Sequence, residues 1–228
     1  MILTMEKSFR EKIALAVFLA LIVLSSIGLG WYILAGHSWN VAASTIDDTV
    51  GEMEGYTAIV YPGTLEAPEE PSEARKGADR LGVSQDDGDE AVDLGALQED
   101  YADKGAEVLF IDVLNPSKYQ EGVIVKRGGK RIGVVSAAGS ATQLDVARCL
   151  QAFEQASVDF TVVITPDKWK VSRLVGIDIV ICTDDEGLVA MGETDEGTFY
   201  VDAPTLGEAG VVLVSPSNVV SAKEVSAS

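Results

Sequence analysis

A chain of 228 residues, 47% of them hydrophobic, has room for one anchor and one domain with a core of ordinary size. Its formal net charge of −19 argues against binding nucleic acid, whose phosphates need cationic contacts, and against lying flat on an anionic membrane surface. Two cysteines exclude a disulfide framework and a Cys-rich zinc site, and His37 is the one histidine of the whole chain.

Residues 13–34, IALAVFLALIVLSSIGLGWYIL, run for 22 positions without a charge. As a helix they extend roughly 33 Å, enough to cross a bilayer core of about 30 Å. Trp31 and Tyr32 sit at the far end, where amphipathic rings favour the interface. Lys7, Arg10 and Lys12 precede the run and Asp47-Asp48 follow it, so the positive-inside rule puts residues 1–12 in the cytoplasm and the domain outside. The pattern predicts a single-pass transmembrane helix over residues 13–35, with the lipid bilayer as its partner and the cell membrane as its location. A cleaved signal peptide is the competing reading, with Ala42-Ala43-Ser44 as its cleavage site. Its apolar region would usually be shorter, about 7–15 residues.

Residues 36–55 read as a tether. YTAIVY at 56–61 reads as a strand closed by Pro62-Gly63. Residues 66–93 are rich in Glu, Asp, Pro and Gly, a composition that buries too little apolar surface to offset ordering, and they read as a disordered acidic loop. Leu94, Leu97, Tyr101 and Ala102 recur at helical spacing, with Gly105 as the stop. VLFIDV at 108–113 is a strand. Strands at 122–126 and 131–136 flank Gly128-Gly129, a hairpin signal. A helix is expected from Ser140, with Ser140 and Gln143 at capping-box spacing and Leu144, Ala147, Leu150 and Phe153 as its apolar stripe.

The next block, residues 157–186, reads as strand, short helix, strand. Val162-Val163-Ile164 and residues 177–181 are apolar runs bounded by breakers, as in strands buried on both faces, and residues 168–175 fit one or two helical turns. Such a unit is normally a parallel crossover, and function in such sheets sits beyond the carboxyl ends of the strands. Those ends are Thr165-Pro166-Asp167 and Thr183-Asp184-Asp185-Glu186. Further strands are expected at 187–191, 198–201 and 211–214. No helices separate them, so the sheet should end in antiparallel pairing.

Two passages together resemble the calcineurin-like metallophosphoesterases, and within them the 5′-nucleotidase branch. Gly129-Lys130-Arg131-Ile132-Gly133-Val134-Val135 matches the family's glycine hairpin and the strand after it. Gly176-Ile177-Asp178-Ile179-Val180-Ile181 matches its later GID strand, and residues 104–113 resemble the strand before the hairpin. The resemblance covers residues 94–214 and implies a metallo-dependent-phosphatase-like layered α/β domain with mixed sheets over residues 56–215. Residues 216–228 are then a C-terminal tail. A generic three-layer module built on one doubly wound sheet is the alternative.

The family's metal-binding signatures are missing. Tyr61-Pro62-Gly63-Thr64 stands where its Asp-x-His would be. Residues 66–93 stand where its Asp and Asn-His-Glu motifs would be. Pro166 falls at its histidine after the middle strand, and Cys182-Thr183-Asp184-Asp185 at its Gly-His-x-His. A dinuclear site of borderline metals wants imidazole nitrogens and a bridging carboxylate, which one membrane-proximal histidine does not supply. The reading is a degenerate member used for binding or assembly with an unassigned protein partner. No catalytic residue, cofactor or transition-metal site is assigned. The alternative is a divergent phosphoesterase with an all-carboxylate site, and Asp167, Asp184, Asp185 and Glu186, with Asp112 near them, form its candidate hard-cation cluster. The family order packs the Cys149 helix on the Cys182 strand, which allows a disulfide outside the cell, while buried free thiols are equally ordinary. A Ser or Cys nucleophile would need a histidine base that the domain lacks. Trp169, between Lys168 and Lys170, reads as a helix face, with ligand stacking as the alternative.

Overall fold

The computed structural model describes residues 52–66 and 91–227, all within the unit Asn40–Ser228. The expected membrane span at 13–35, the tether up to residue 51 and most of the acidic loop, residues 67–90, lie outside the described residues. Among the described residues no helix is long and apolar enough to cross a membrane.

The strands sort into two sheets. The first contains β1 (Thr57–Pro62), β2 (Glu107–Phe110), β9 (Ala209–Val214) and β10 (Val220–Val225), in the order β10-β9-β1-β2. The second contains β3 (Val123–Arg127), β4 (Lys130–Ser136), β5 (Phe160–Thr165), β6 (Ile179–Cys182), β7 (Glu193–Asp195) and β8 (Thr198–Asp202), in the order β3-β4-β5-β6-β8-β7. Both sheets are mixed. In the second sheet β4, β5, β6 and β8 run parallel, with β3 and β7 antiparallel at its edges; in the first, β1 and β2 are parallel while β1–β9 and β9–β10 are antiparallel.

The two sheets face each other. Ile59, Leu109, Ile111 and Val212 from the first pack in one core with Ile132, Val162, Ile164, Ile181 and Val201 from the second. The outward face of the first sheet, Ala58, Val60, Val211 and Leu213, lies under Tyr101 of helix α1 (Leu94–Asp103). The outward face of the second, Val135, Val163 and Val180, lies under Val146, Leu150 and Phe153 of helix α2 (Gln143–Gln155). The result is a four-layer α-β-β-α sandwich. It explains why β1, β5, β6 and β9 are buried at every position: each has a sheet on one side and helix or loop on the other. A single doubly wound sheet is not what forms.

Several boundaries differ from expectation, each for a local reason. Helix α2 is capped two residues later than Ser140. Thr142 and Asp145 make the reciprocal capping box, and the Asp145 carboxylate adds charge at the positive helix end. The stripe moves with it, leaving Leu144 60% exposed while Val146 is buried. Residues 168–175 yield one 3-10 turn, Lys168–Lys170, whose amide is tied down by Asp167. Residues 187–191 form no strand, because two amides there, or just before, are taken by a carboxylate described below. Strand β8 joins β6 in parallel, and antiparallel closure comes from β7. Met53, at the end of the expected tether, is fully buried. The expected C-terminal tail contains β10, which pairs with β9 after a tight turn in which the Val219 amide donates to Ser215 Oγ (2.9 Å). Its Lys223-Glu224 pair hid that strand in the sequence.

Phe153 closes the α2 layer. A Cβ built on Gly133 would lie 2.6 Å from its ring, so the helix sits directly on the β4 backbone. Phe153→Ala is expected to cost about 3–5 kcal/mol, measured by denaturant unfolding monitored by circular dichroism.

Candidate functional site

The carboxyl ends of β1, β5, β6 and β8 meet at one end of the sandwich, where a parallel α/β sheet places its chemistry. They are laced together. The Thr64 hydroxyl donates to the Thr183 carbonyl (2.7 Å). The Thr183 amide donates to the Thr165 carbonyl (2.8 Å) and the Asp184 amide to the Pro166 carbonyl (3.0 Å). The Ala203 amide donates to the Cys182 carbonyl (2.7 Å), and Thr64 and Leu65 donate their amides to Pro204. Gly63 lets the β1 end approach this closely, since a Cβ there would fall 1.8 Å from the Thr205 carbonyl oxygen. The tips are thus capped by their own backbone and by one another's.

Beneath the cap lies Asp202, the last residue of β8, only 8% exposed. Its Oδ2 accepts from the Leu188 amide (2.9 Å) and the Glu186 amide (3.2 Å), folding residues 183–188 back over the sheet. Its Oδ1 is buried with no hydrogen-bond partner among the described residues. Burial raises the Asp202 carboxyl above the ordinary aspartate range, and the two amides only partly offset this. Cys182, its neighbour across the ladder, is fully buried; burial first and the Asp202 charge next push its thiol strongly up, so it stays protonated and is a poor nucleophile. The Tyr61 hydroxyl is likewise pushed up by burial, then by Glu224 and Asp202.

The expected carboxylate cluster does not gather. Asp167 Oδ1 accepts the Lys170 amide (3.0 Å), and Asp185 Oδ1 accepts the Gly187 amide (2.8 Å). Asp184 is exposed, and Glu186 meets Asp202 through its backbone amide. Asp112 is held by Lys118 and by Asn115 (3.0 Å), and the Lys118 hydrogen bond lowers its carboxyl. Among the described residues no three His, Cys, Asp or Glu side chains form a group able to hold a metal ion. Cys149 and Cys182 are both free thiols. Trp169 is 64% exposed, with the Arg173 guanidinium 5.3 Å from its ring centre, and it borders a groove of about 460 Å³ together with Leu188 and Tyr200. Asp202 escaped the sequence reading. Its only signal was a lone carboxylate between Val201 and Ala203 at the end of an apolar strand.

No family model matches this sequence, and no curated protein matches it. Among solved structures, a 5′-nucleotidase precursor from Thermus thermophilus is similar at 15% identity and a TM-score of 0.36, covering 58% of this chain and 36% of that one. The sulfate thiohydrolase SoxB of Thermus thermophilus is similar at 13% identity and a TM-score of 0.38, covering 46% and 24%. A Vps29 single mutant from Entamoeba histolytica is similar at 13% identity and a TM-score of 0.23, covering 75% and 99%. The chain therefore spans well under half the length of the first two.

Ionised Asp202 opposes folding, because its carboxyl is raised in the folded state. Its penalty is absent below the ordinary aspartate value of about 3.9 and develops as pH rises through the folded titration. Asp202→Asn keeps an acceptor for the two amides and removes the charge. Thermal unfolding across a pH series should find this variant equal to the parent at acid pH and more stable at neutral pH.

Proposed function

We propose that this is a single-pass membrane protein whose extracytoplasmic α/β domain keeps a phosphoesterase-like scaffold and serves in binding or assembly, not phosphoester hydrolysis. One observation carries the reading. The strand ends at which the motif resemblance would require metal-binding imidazoles hold Thr165-Pro166 and Thr183-Asp184, and their backbone groups are bonded to one another and to the end of β1. Two facing mixed sheets agree with the layered arrangement that the resemblance implies, and the strands of the matched passages, β3 to β6, all lie in one sheet. The all-carboxylate alternative needs carboxylates brought onto one ion, whereas Asp167 and Asp185 are spent on local amides.

The purified full chain should contain no stoichiometric zinc or manganese by elemental analysis and should not turn over p-nitrophenyl phosphate, with or without added manganese. Bound metal at one equivalent together with turnover would overturn the reading.

The anchor rests on residues 13–34 and their flanking charges. In a cell that expresses the chain, it should stay in the membrane pellet through alkaline carbonate extraction. External protease should reach the domain in spheroplasts while an epitope at the N-terminus stays protected. A chain recovered in the carbonate supernatant would remove the anchor from the proposal.

A further inference from the structure

The end of the second sheet opposite the capped tips carries a different surface. Among the described residues strand β3 is the edge of that sheet and pairs only with β4. The two are joined by Gly128 (φ 53°) and Gly129 (φ 78°), both left-handed, so the loop is a two-residue type I′ turn flanked by the pair Arg127 and Lys130. In such a hairpin the flanking pair exchanges both hydrogen bonds and the pattern alternates from there. Arg127, Val125 and Val123 thus bond to β4, while the amide and carbonyl of Ile124 and Lys126 point away from the sheet. No backbone bond outside the β3–β4 ladder involves residues 123–127 among the described residues.

The side chains of this edge are unusual for the molecule. Val123 is 38% exposed and Ile124 37% exposed. Lys126, Arg127, Lys130 and Arg131 fall within one short hairpin of a chain whose net charge is −19. Lys126 and Arg127 are exposed. Lys130 lies over the Phe160 ring (5.9 Å), and Arg131 Nε is buried without a hydrogen-bond partner. None of the four has a carboxylate of a described residue within ion-pair distance. Arg127 merely donates to the carbonyl of Lys126 (3.0 Å).

From this juxtaposition we propose that the β3 edge docks an acidic, extended segment of a partner protein by strand addition. The partner's backbone would pair with Ile124 and Lys126, its aliphatic side chains would cover Ile124 and Val123, and its carboxylates would meet Lys126 and Arg127. Two carboxylates touch the hairpin, Asp159 on the Arg131 amide (2.6 Å) and Glu107 against Gly128, but neither is within ion-pair distance of Lys126 or Arg127, and charges beyond about 8 Å are largely screened at physiological salt. Lysine on an edge also guards against indiscriminate pairing. Here the same charge repels basic strands and admits acidic ones, so the edge is selective. The proposal goes beyond the binding role above and does not depend on it, since the hairpin lies at the opposite end of β4 from the capped tips.

The test uses the full chain in nanodiscs of neutral lipid, with a fluorescent peptide of alternating valine pairs and glutamate pairs as probe, which presents both residue types on each face, and its valine–lysine counterpart as control. Binding of the acidic peptide should slow hydrogen exchange at Ile124 and Lys126, weaken as salt is raised, and be absent for the lysine peptide. Reversing Lys126 and Arg127 to glutamate should weaken it about tenfold. Ile124→Pro removes one outward amide, a change an edge strand tolerates, and should abolish binding without lowering the unfolding temperature of the fold by more than a few degrees. Four results would overturn the proposal. The two peptides could bind equally. The Ile124 and Lys126 amides could become protected on adding anionic lipid instead of peptide. They could be protected before any addition and released by deleting residues 67–90. The edge could be occupied by a second copy, seen as a dimer that Ile124→Pro dissociates.

Discussion

Two apolar sheet faces pressed together set the terms for everything else in this domain. Ile59, Ile111 and Val212 on one sheet and Ile132, Val162, Ile164 and Ile181 on the other exclude water from the strands between them. At about 25 cal/mol per Å² of apolar surface, this burial is the dominant favourable contribution. It also imposes a condition. A strand buried on both faces must satisfy every backbone group within its sheet, so β1, β5, β6 and β9 take central positions. Strands with charged or sparsely apolar sequences, β3, β7 and β10, go to edges, where backbone groups can meet water; the fourth edge is the four-residue β2. The outward faces then need covers, which α1 and α2 provide through Tyr101 and Phe153.

The same condition governs the strand ends. Four strands finish at one end of the sandwich, and their last carbonyls and amides would be stranded at the rim of a dry core. Thr64, Thr183, Ala203 and Leu65 take them up, and Asp202 gathers the amides of Glu186 and Leu188. Asp202 does this as a largely buried carboxylate with one oxygen unpartnered, which is why its proton is held more tightly than usual. In an α/β sheet with an open crevice, this region would be free to bind. Here the backbone groups of the strand ends are largely consumed by closing the fold.

Charge divides the molecule in a similar way. Acidic residues outnumber basic ones 36 to 17 in the chain, and groups such as Asp93, Asp145 and Asp167 serve as caps on nearby amides, where the positive end of a helix or turn favours them. The β3–β4 hairpin reverses the sign over a short stretch, beside an edge with outward backbone groups and exposed aliphatic side chains. Burial at one end and, among the described residues, an unpaired edge at the other give the two ends of the second sheet opposite characters.

Much of this architecture was legible in the residues. Apolar runs at 162–164 and 177–181 mark doubly buried strands, those at 56–61 and 211–214 mark strands, Gly128-Gly129 marks the hairpin, and Gly105 ends α1, because each is a local property of the chain. Layered mixed sheets followed from the resemblance, but the order of the strands and the strand at Val220–Val225 were not legible, since pairing depends on which faces meet and Lys223-Glu224 reads as solvent-exposed chain. Nor was the role of Asp202, a single carboxylate whose meaning comes from amides 14 and 16 residues earlier in the chain. Local pattern decided which segments could be strands or helices. Long-range burial decided where they lie, because only the closed sandwich determines which polar groups are left to be satisfied.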